Sequence, residues 1–568
     1  MTGRLRYALV RLARLAALPL HARVRQFWKL CDDPQAVQAE LLYRLIARQR
    51  NTAFGADHHF AEIRSAADFQ RHVPIRNYEA LAPYIDRVKL GETTALHADD
   101  TVRFFALTSG TTAQRKMIPV TDRYLADYKR SWAMWGVRAY YDHRPRDLAL
   151  RPIVQMIGNA DEFRTPSGIP CGNLSGYTAS IQRPIAKRQY CVPISCATLR
   201  DPAAKYYLAV RSFIDKPLAL FSSANPSTLL TLARTLNTNH SALIRDVHDG
   251  TLRGDLDIPR SHGLQFRPNP TTAARLEKLA AQNGRLYPQD IWHPSTILLT
   301  VWTGGSMGPY LRQLPAFYGD APVRDLGLVA SEGRFTIPFE NGTPSGVLDI
   351  ASHFYEFIRE EDRDKSNATI YLAHELEVGQ NYFLLPTTQA GLYRYDISDV
   401  VRVTGFLGRT PKVEFLSKGS RFSNLTGEKL SEHHVTQGLE HLAATGDFQV
   451  CNYALAPVWD EVQPYYAIVL ERTEASDPRW TAWLTVLDRE LSLRNIEYEA
   501  KRQSGRLGPV QAFIVENGYW ATWDEVRLAQ TGGSAEQYKR TCLMNAVEFT
   551  ATLPRIGRIH PTLGLAWQ

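Results

Sequence analysis

The stretch Phe105-Ala106-Leu107-Thr108-Ser109-Gly110-Thr111-Thr112-Ala113-Gln114-Arg115-Lys116 sets the reading of the whole chain. An apolar, strand-like run enters a loop of three Thr and one Ser around a Gly, and a Lys follows six residues after that Gly. Glycine lets a backbone approach an anion closely and aim its N–H groups at it. The hydroxyls donate further hydrogen bonds, and the Lys supplies a point charge. Each bond to a charged group contributes about 1.5–3 kcal/mol, so a few of them hold a nucleotide triphosphate. The stretch is not a Walker A loop, which needs a second Gly before the Lys and Ser or Thr after it. Met117 follows Lys116 here. A Ser/Thr-rich turn between two elements fits the same residues, and this segment alone leaves both readings open.

Outward from that loop, the chain alternates strand and helix patterns, which argues for an α/β class. Strands are predicted over 101–108, 296–302, 323–330, 368–373 and 399–406, and helices over 121–140, 202–214, 225–239 and 271–282. Residues 34–90 read as helices with breaks at Pro74 and Pro83. Past Lys418-Gly419-Ser420 the pattern changes. A helix through Leu430, Val435, Leu439 and Leu442 precedes strands at 448–455 and 465–470, a helix over 478–493, a strand at 510–515 and a helix over 521–529. This predicts a small α+β module joined by a hinge near residue 418. A length of 568 residues is too much for one core.

The formal charge is +8, and residues 1–31 carry seven basic side chains with no Asp or Glu. The remainder is nearly neutral, which argues against a nucleic-acid-binding body. Leu5, Leu9, Leu12 and Leu15 recur at helical spacing in that basic segment. Packing of this stripe on the protein's own body is the commoner arrangement. A weak contact with an anionic membrane surface is the alternative. The longest apolar run there, Leu15 to Leu20, is too short for a signal peptide. The cysteines at 31, 171, 191, 196, 451 and 542 form no C-x-x-C pair and no metal spacing with His. Free thiols point to a reducing compartment, hence a cytoplasmic protein.

Four further segments carry chemistry. Glu332 ends the apolar run Gly327–Ser331, where a carboxylate can hold Mg²⁺ against phosphate oxygens or simply be the acidic first turn of a helix capped by the Ser. Asp399 opens a strand after Gly391-Leu392-Tyr393-Arg394-Tyr395-Asp396-Ile397-Ser398, placed to accept ribose hydroxyls or to form an ordinary hairpin ion pair. Gly304-Gly305-Ser306-Met307-Gly308 matches the G-x-S-x-G elbow of serine hydrolases after an apolar strand, although Pro309 follows at once. His433-His434 and His374-Glu375 lack the partners of condensation or zinc-protease motifs.

Taken in order, Thr108–Lys116, Ala330–Glu332 and Tyr393–Asp399 resemble the three nucleotide motifs of the plant acyl-acid amido synthetases. These are the auxin- and jasmonate-conjugating Gretchen Hagen 3 family within the adenylate-forming ligases. Gly427-Glu428-Lys429 and Gln537-Tyr538-Lys539 match that family's later motifs. The resemblance implies a large multi-layer N-terminal adenylation domain, 1–418, of sheets flanked by helices, and a small mobile C-terminal domain, 419–568. It implies that Thr108, Ser109, Gly110, Thr111, Thr112 and Lys116 bind the phosphates of ATP. Gly304, Gly305 and Ser306 would lie beside adenine, Ser331 and Glu332 near the reacting carboxylate, and Glu332 on Mg²⁺. Asp399 would hold the ribose, Lys418 at the hinge would be a further nucleotide-binding residue, and Lys539 would be the catalytic lysine of the mobile domain. Tyr140, Tyr177 and Arg183 are candidates for the acid pocket. The implied reaction adenylates a small carboxylic acid and transfers the acyl group to an amine, most simply an amino acid, releasing pyrophosphate and AMP. Transfer to coenzyme A, or a serine hydrolase using Ser306, are the competing readings. Leu328, Ser398 and Lys418 stand where the family usually has Tyr, Gly and Arg.

Overall fold

A computed structural model describes residues 15–567 apart from 16, 109–115, 144–147, 149, 200, 257–264, 364, 366, 420–421, 424, 427, 429, 446–449, 461–462, 504, 506, 532–539 and 563. Phe105, Ala106 and Leu107 lie on one strand of a hairpin. Val102–Leu107 pairs antiparallel with Met117–Thr121, and Thr108 N–H donates to the Lys116 carbonyl at 3.1 Å, closing the loop at its base. Pro170–Gly172 adds in parallel to Val102–Leu107, and Phe163–Arg164 completes the sheet.

A second sheet is wholly parallel, in the order Ile153–Gln155, Leu220–Ser222, Leu298–Val301, Val323–Asp325. Helices cover it, so its strands are continuous apolar runs, as Leu298-Leu299-Thr300-Val301, all buried, illustrates. Its core takes in Leu208, Val210, Leu229, Leu236 and Leu314 from those helices. A third, seven-stranded sheet is antiparallel and includes the hairpin Asp399–Leu407 with Thr410–Lys418.

The last sheet orders Ala454–Val458, Tyr465–Glu471, Gln511–Val515, Gly557–His560 and Gly564–Trp567. Successive strand residues point to opposite faces. Tyr466, Ile468, Leu470, Ala512 and Ile514 therefore join one core with the helices Glu432–Thr445 and Trp480–Arg494. Tyr465, Ala467, Val469, Phe513 and Val515 join another with Trp520 and Phe549. The α/β class and the α+β character of the last part follow from these sheets.

Three expectations change. Pro83 does not break a helix: it lies inside Tyr78–Lys89, on the exposed side. The strand expected over 323–330 stops at Asp325, because Gly327 turns with φ 92° and its N–H closes on the Asp325 carboxylate. The strand expected over 448–455 is Ala454–Val458, with 446–449 outside the described residues. Among the described residues no helix is long and apolar enough to cross a membrane. Of the basic N-terminal stripe, Leu5, Leu9 and Leu12 lie outside the described residues, and Leu15 is exposed.

Candidate active site

A cavity of about 1520 Å³ opens between the first three sheets and the C-terminal module. One end is lined by Thr108, Lys116, Ser331, Glu332, Asp399 and Lys418, residues from three different sheets and loops. Each arrives by a local device. Thr108 and Lys116 stand on the rim of the closed hairpin, and Met117 N–H donates to the Tyr78 hydroxyl at 3.0 Å. Ser331 and Glu332 occupy a tight turn in which Ala330 and Gly333 exchange backbone hydrogen bonds of 2.9 and 3.3 Å. A Cβ at Gly333 would meet the His353 ring at 2.9 Å, so this turn needs Gly. The Tyr124 hydroxyl donates to the Ser331 carbonyl at 3.0 Å and ties the turn to the long helix Asp122–Asp142.

Asp399 and Lys418 face each other across the hairpin and form an ion pair, with Asp399 2% exposed. Lys418 Nζ also donates to the Ile397 carbonyl at 3.0 Å. Just before Asp399, Ser398 adopts φ 59°, and Gly419 N–H donates to its carbonyl at 2.7 Å. Arg394, the lone Arg of the same motif, turns away from the cavity. It pairs with buried Glu356 at 2.8 Å and donates to the Val73 carbonyl at 2.7 Å.

Burial raises the Glu332 carboxyl above its ordinary range; Lys418 and Lys116 oppose the rise and Asp399 adds to it. Of the three carboxylates on the cavity walls, Asp399 is tied to Lys418, and Glu432 accepts from the Thr541 hydroxyl and from Cys542 N–H. Glu332 has no such tie. Magnesium keeps several waters and takes one or two carboxylates together with substrate phosphates. Glu332, a carboxylate without such a tie beside Lys116 and Lys418, fits that pattern, and among the described residues no cluster of three or more His, Cys, Asp or Glu offers an all-protein metal site.

Gly304 and Gly305 are not on the cavity wall. They hold a residue that is: a Cβ at Gly305 would lie 3.0 Å from the Phe415 ring, and one at Gly304 3.1 Å from the Phe415 carbonyl. Phe415 stacks on Trp302 with centroids 5.3 Å apart, and both rings line the cavity. Leu328 also lines it, buried. Sequence reasoning missed Trp302 and Phe415; the one signal was Trp302 two residues before the Gly pair. The Ser306 side chain, and Ser109, Gly110, Thr111, Thr112, Gly427, Lys429 and Lys539, lie outside the described residues. No histidine occurs on the cavity wall among the described residues.

The loop at Asp325 supports both sides of this wall. Its carboxylate accepts from Thr303 N–H and the Thr303 hydroxyl at 2.6 Å each, and from Gly327 N–H at 2.5 Å. The C-terminal module contributes Trp523, Arg540 and Thr541. Arg540 pairs with Asp524 and donates to Asn452 Oδ1 at 2.9 Å. Tyr140 and Arg183 line the far part of the cavity, whereas Tyr177 does not: it stacks on Phe104, centroids 4.3 Å apart.

Comparison with known proteins agrees with this arrangement. The chain matches the GH3 family N-terminal domain over residues 23–323, the central domain over 346–418 and the C-terminal domain over 432–548. It is 22% identical to the jasmonoyl–L-amino acid synthetase JAR6 of Nicotiana attenuata, covering 91% of this chain and 92% of that one. It is 24% identical to the 4-substituted benzoates-glutamate ligase GH3.12 of Arabidopsis thaliana, covering 91% and 94%. The structure of a GH3.15 acyl acid amido synthetase superposes with a TM-score of 0.81 at 17% identity, over 96% of this chain and 98% of that one, a likeness of fold.

Proposed function

Because the chain belongs to the GH3 family, we propose that it is an ATP-dependent ligase that adenylates a carboxylic acid and passes the acyl group to an amine, most simply an amino acid. One observation carries the reading: Thr108, Lys116, Ser331, Glu332, Asp399 and Lys418 converge on one end of a single cavity. The relatives' names point the same way, since they conjugate jasmonate, indole-3-acetate or benzoates to amino acids or glutamate.

In this reading the hairpin loop 108–116 holds the β- and γ-phosphates, so Lys116 binds the leaving pyrophosphate. Asp399 accepts the ribose hydroxyls. Phe415 and Trp302 supply the ring face for adenine that Leu328 lacks, a stack worth about 0.5–1.5 kcal/mol beyond burial. Glu332 is the residue that would hold Mg²⁺, whose bound charge neutralises the phosphates. The acid attacks the α-phosphorus, pyrophosphate leaves, and the acyl-adenylate forms. Alignment and charge stabilisation do most of this work. Lys539 is the proposed cation at the developing charge between carboxylate and α-phosphate. The amine then attacks the acyl carbon, AMP leaves, and the amide forms. We place the boundary between the adenylating and mobile parts near residue 418. A reducing, cytoplasmic setting fits the six free thiols.

Carboxylate-dependent exchange of labelled pyrophosphate into ATP tests the reading across a panel of acids. Lys539→Ala and Glu332→Gln are each expected to lose at least a hundredfold in exchange. If no acid supports exchange and esters are cleaved instead, the ligase reading is wrong. Product masses with amino acids and with coenzyme A identify the acceptor.

A further inference from the structure

The ligase reading leaves the acid unnamed, and one arm of the cavity describes it. The helix Asp122–Asp142 begins beside the chemistry, with the Tyr124 hydroxyl on the Ser331 carbonyl. It then presents Lys129, Ala133, Gly136 and Tyr140 to the cavity at steps of four, three and four residues, with Trp132 beside Ala133. Gly136 lies twelve residues past Tyr124, about 18 Å along the axis. Glycine inside a helix is a poor helix former. Nothing in the packing asks for it here, because a Cβ at Gly136 would meet no atom within 4 Å. Its effect is to leave a gap in the cavity wall between Trp132 and Tyr140.

Trp132 cannot swing into that gap freely. The buried Arg334 guanidinium sits 3.9 Å from its ring centroid, and none of the three guanidinium nitrogens has a hydrogen-bond partner among the described residues. Ile153, Leu174 and Ile181 continue the apolar lining. The arm also contains the phenols of Tyr140 and Tyr190. Burial pushes both upward, and Tyr190 adds to the rise at Tyr140. Neither hydroxyl has a hydrogen-bond partner among the described residues. An alkyl end buried against them would leave two hydroxyls desolvated and unpaired, which is costly.

We propose that the acid is an extended one: an apolar body lying along this helix over Gly136, with an oxygen function at its far end that bonds Tyr140 and Tyr190. Side chains lean toward the helix N-terminus, so the Tyr140 hydroxyl reaches back over the turn at Gly136, about 18 Å along the axis from Tyr124, roughly a dozen zigzag carbon–carbon bonds and one hydrogen bond. A carboxyl carried directly on one ring ends short of Gly136.

The test rests on the exchange reaction above and compares hexanoate, dodecanoate and 12-hydroxydodecanoate. In the wild type, kcat/KM for 12-hydroxydodecanoate is expected to exceed that for hexanoate at least tenfold. Gly136→Leu should cut that ratio at least tenfold, and Gly136→Ala, which adds a single methyl, severalfold. Tyr140→Phe should remove the advantage of the hydroxylated acid over dodecanoate. Unchanged chain-length ratios in both Gly136 variants overturn the proposal, and an unchanged hydroxyl preference in Tyr140→Phe overturns its polar end. Calorimetric titration of 12-hydroxydodecanoate separates this inference from the ligase reading. Binding to the wild type that Gly136→Leu abolishes, without exchange for any acid, supports the arm while the ligase reading falls. Silence in both measurements overturns both.

Discussion

Ser398 holds φ 59°, a backbone that costs a residue with a side chain about 1–2 kcal/mol. Its N–H and hydroxyl both reach Asp396 Oδ1, at 2.9 and 3.2 Å, which offsets part of that cost. Ser398→Gly keeps the N–H bond and removes the strain. It is expected to raise stability by about 1 kcal/mol in urea unfolding, and a loss instead would show that the hydroxyl bond outweighs the strain. The sequence showed the departure from Gly at this position but not the dihedral angle that makes Gly the easier residue. Asp127 offers a second measurement. Burial lifts its carboxyl to about 6 from an ordinary 3.8, with Asp349 adding and Arg130, 2.8 Å away, opposing. A carboxyl raised in the folded state binds its proton more tightly there. Its contribution is full below pH 3.8 and is lost as pH climbs through about 6. Between pH 4 and 7 the wild type should lose on the order of 2 kcal/mol more stability than Asp127→Asn. Equal losses in urea titrations of the two proteins would sink the assignment.

Elements with a strong period and a capping residue were legible from sequence. The helices Asp122–Asp142, Pro202–Phe213, Pro226–Thr238 and Pro270–Asn283 fall within two residues of the expected spans. Thr121, Asp201, Asn225 and Asn269 cap them, and Pro opens the last three. The strand Asp399–Leu407 was equally clear, because an Asp and a β-branched run mark its start. What failed were places where a tertiary contact decides. Pro83 survives inside a helix because only one intrahelical bond is lost on its solvent side. The run 326–330 is apolar enough for a strand, yet Asp325 captures Gly327 N–H and turns it toward the cavity. Strand order, and hence which loops meet, carries no local signal at all. Asp325 is therefore expected to matter beyond its own position. Asp325→Ala orphans Thr303 N–H and Gly327 N–H, each costing about 1–3 kcal/mol when buried. Thermal unfolding should register a loss of roughly 2–5 kcal/mol, and KM for ATP should rise as the Trp302–Gly305 and Gly327–Glu332 loops loosen. A stability loss with no change in KM would confine Asp325 to the core.

At the scale of the molecule, the cavity belongs to no single core. The core around Leu229 and Leu299 serves the parallel sheet, and the two cores around Ile468 and Phe513 serve the C-terminal sheet alone. Yet Glu332 and Asp399 face the cavity from one side while Glu432, Trp523 and Arg540 face it from the other. Separate cores predict separate unfolding transitions, since cooperativity extends only as far as contiguous packing. A ligand filling the cavity touches both parts and couples them. A non-hydrolysable acyl-sulfamoyl adenosine at a hundred times its dissociation constant contributes about 2.7 kcal/mol to any unit whose unfolding destroys the site. Differential scanning calorimetry of the free protein should resolve at least two transitions, and the adenylate mimic should move both upward and toward each other. If only the transition of the larger part moves, the C-terminal module contributes no binding energy in this arrangement, and its residues reach the substrates only after the module has rotated. If a single sharp transition is seen without ligand, the two parts are one cooperative body and the proposed boundary near residue 418 is wrong.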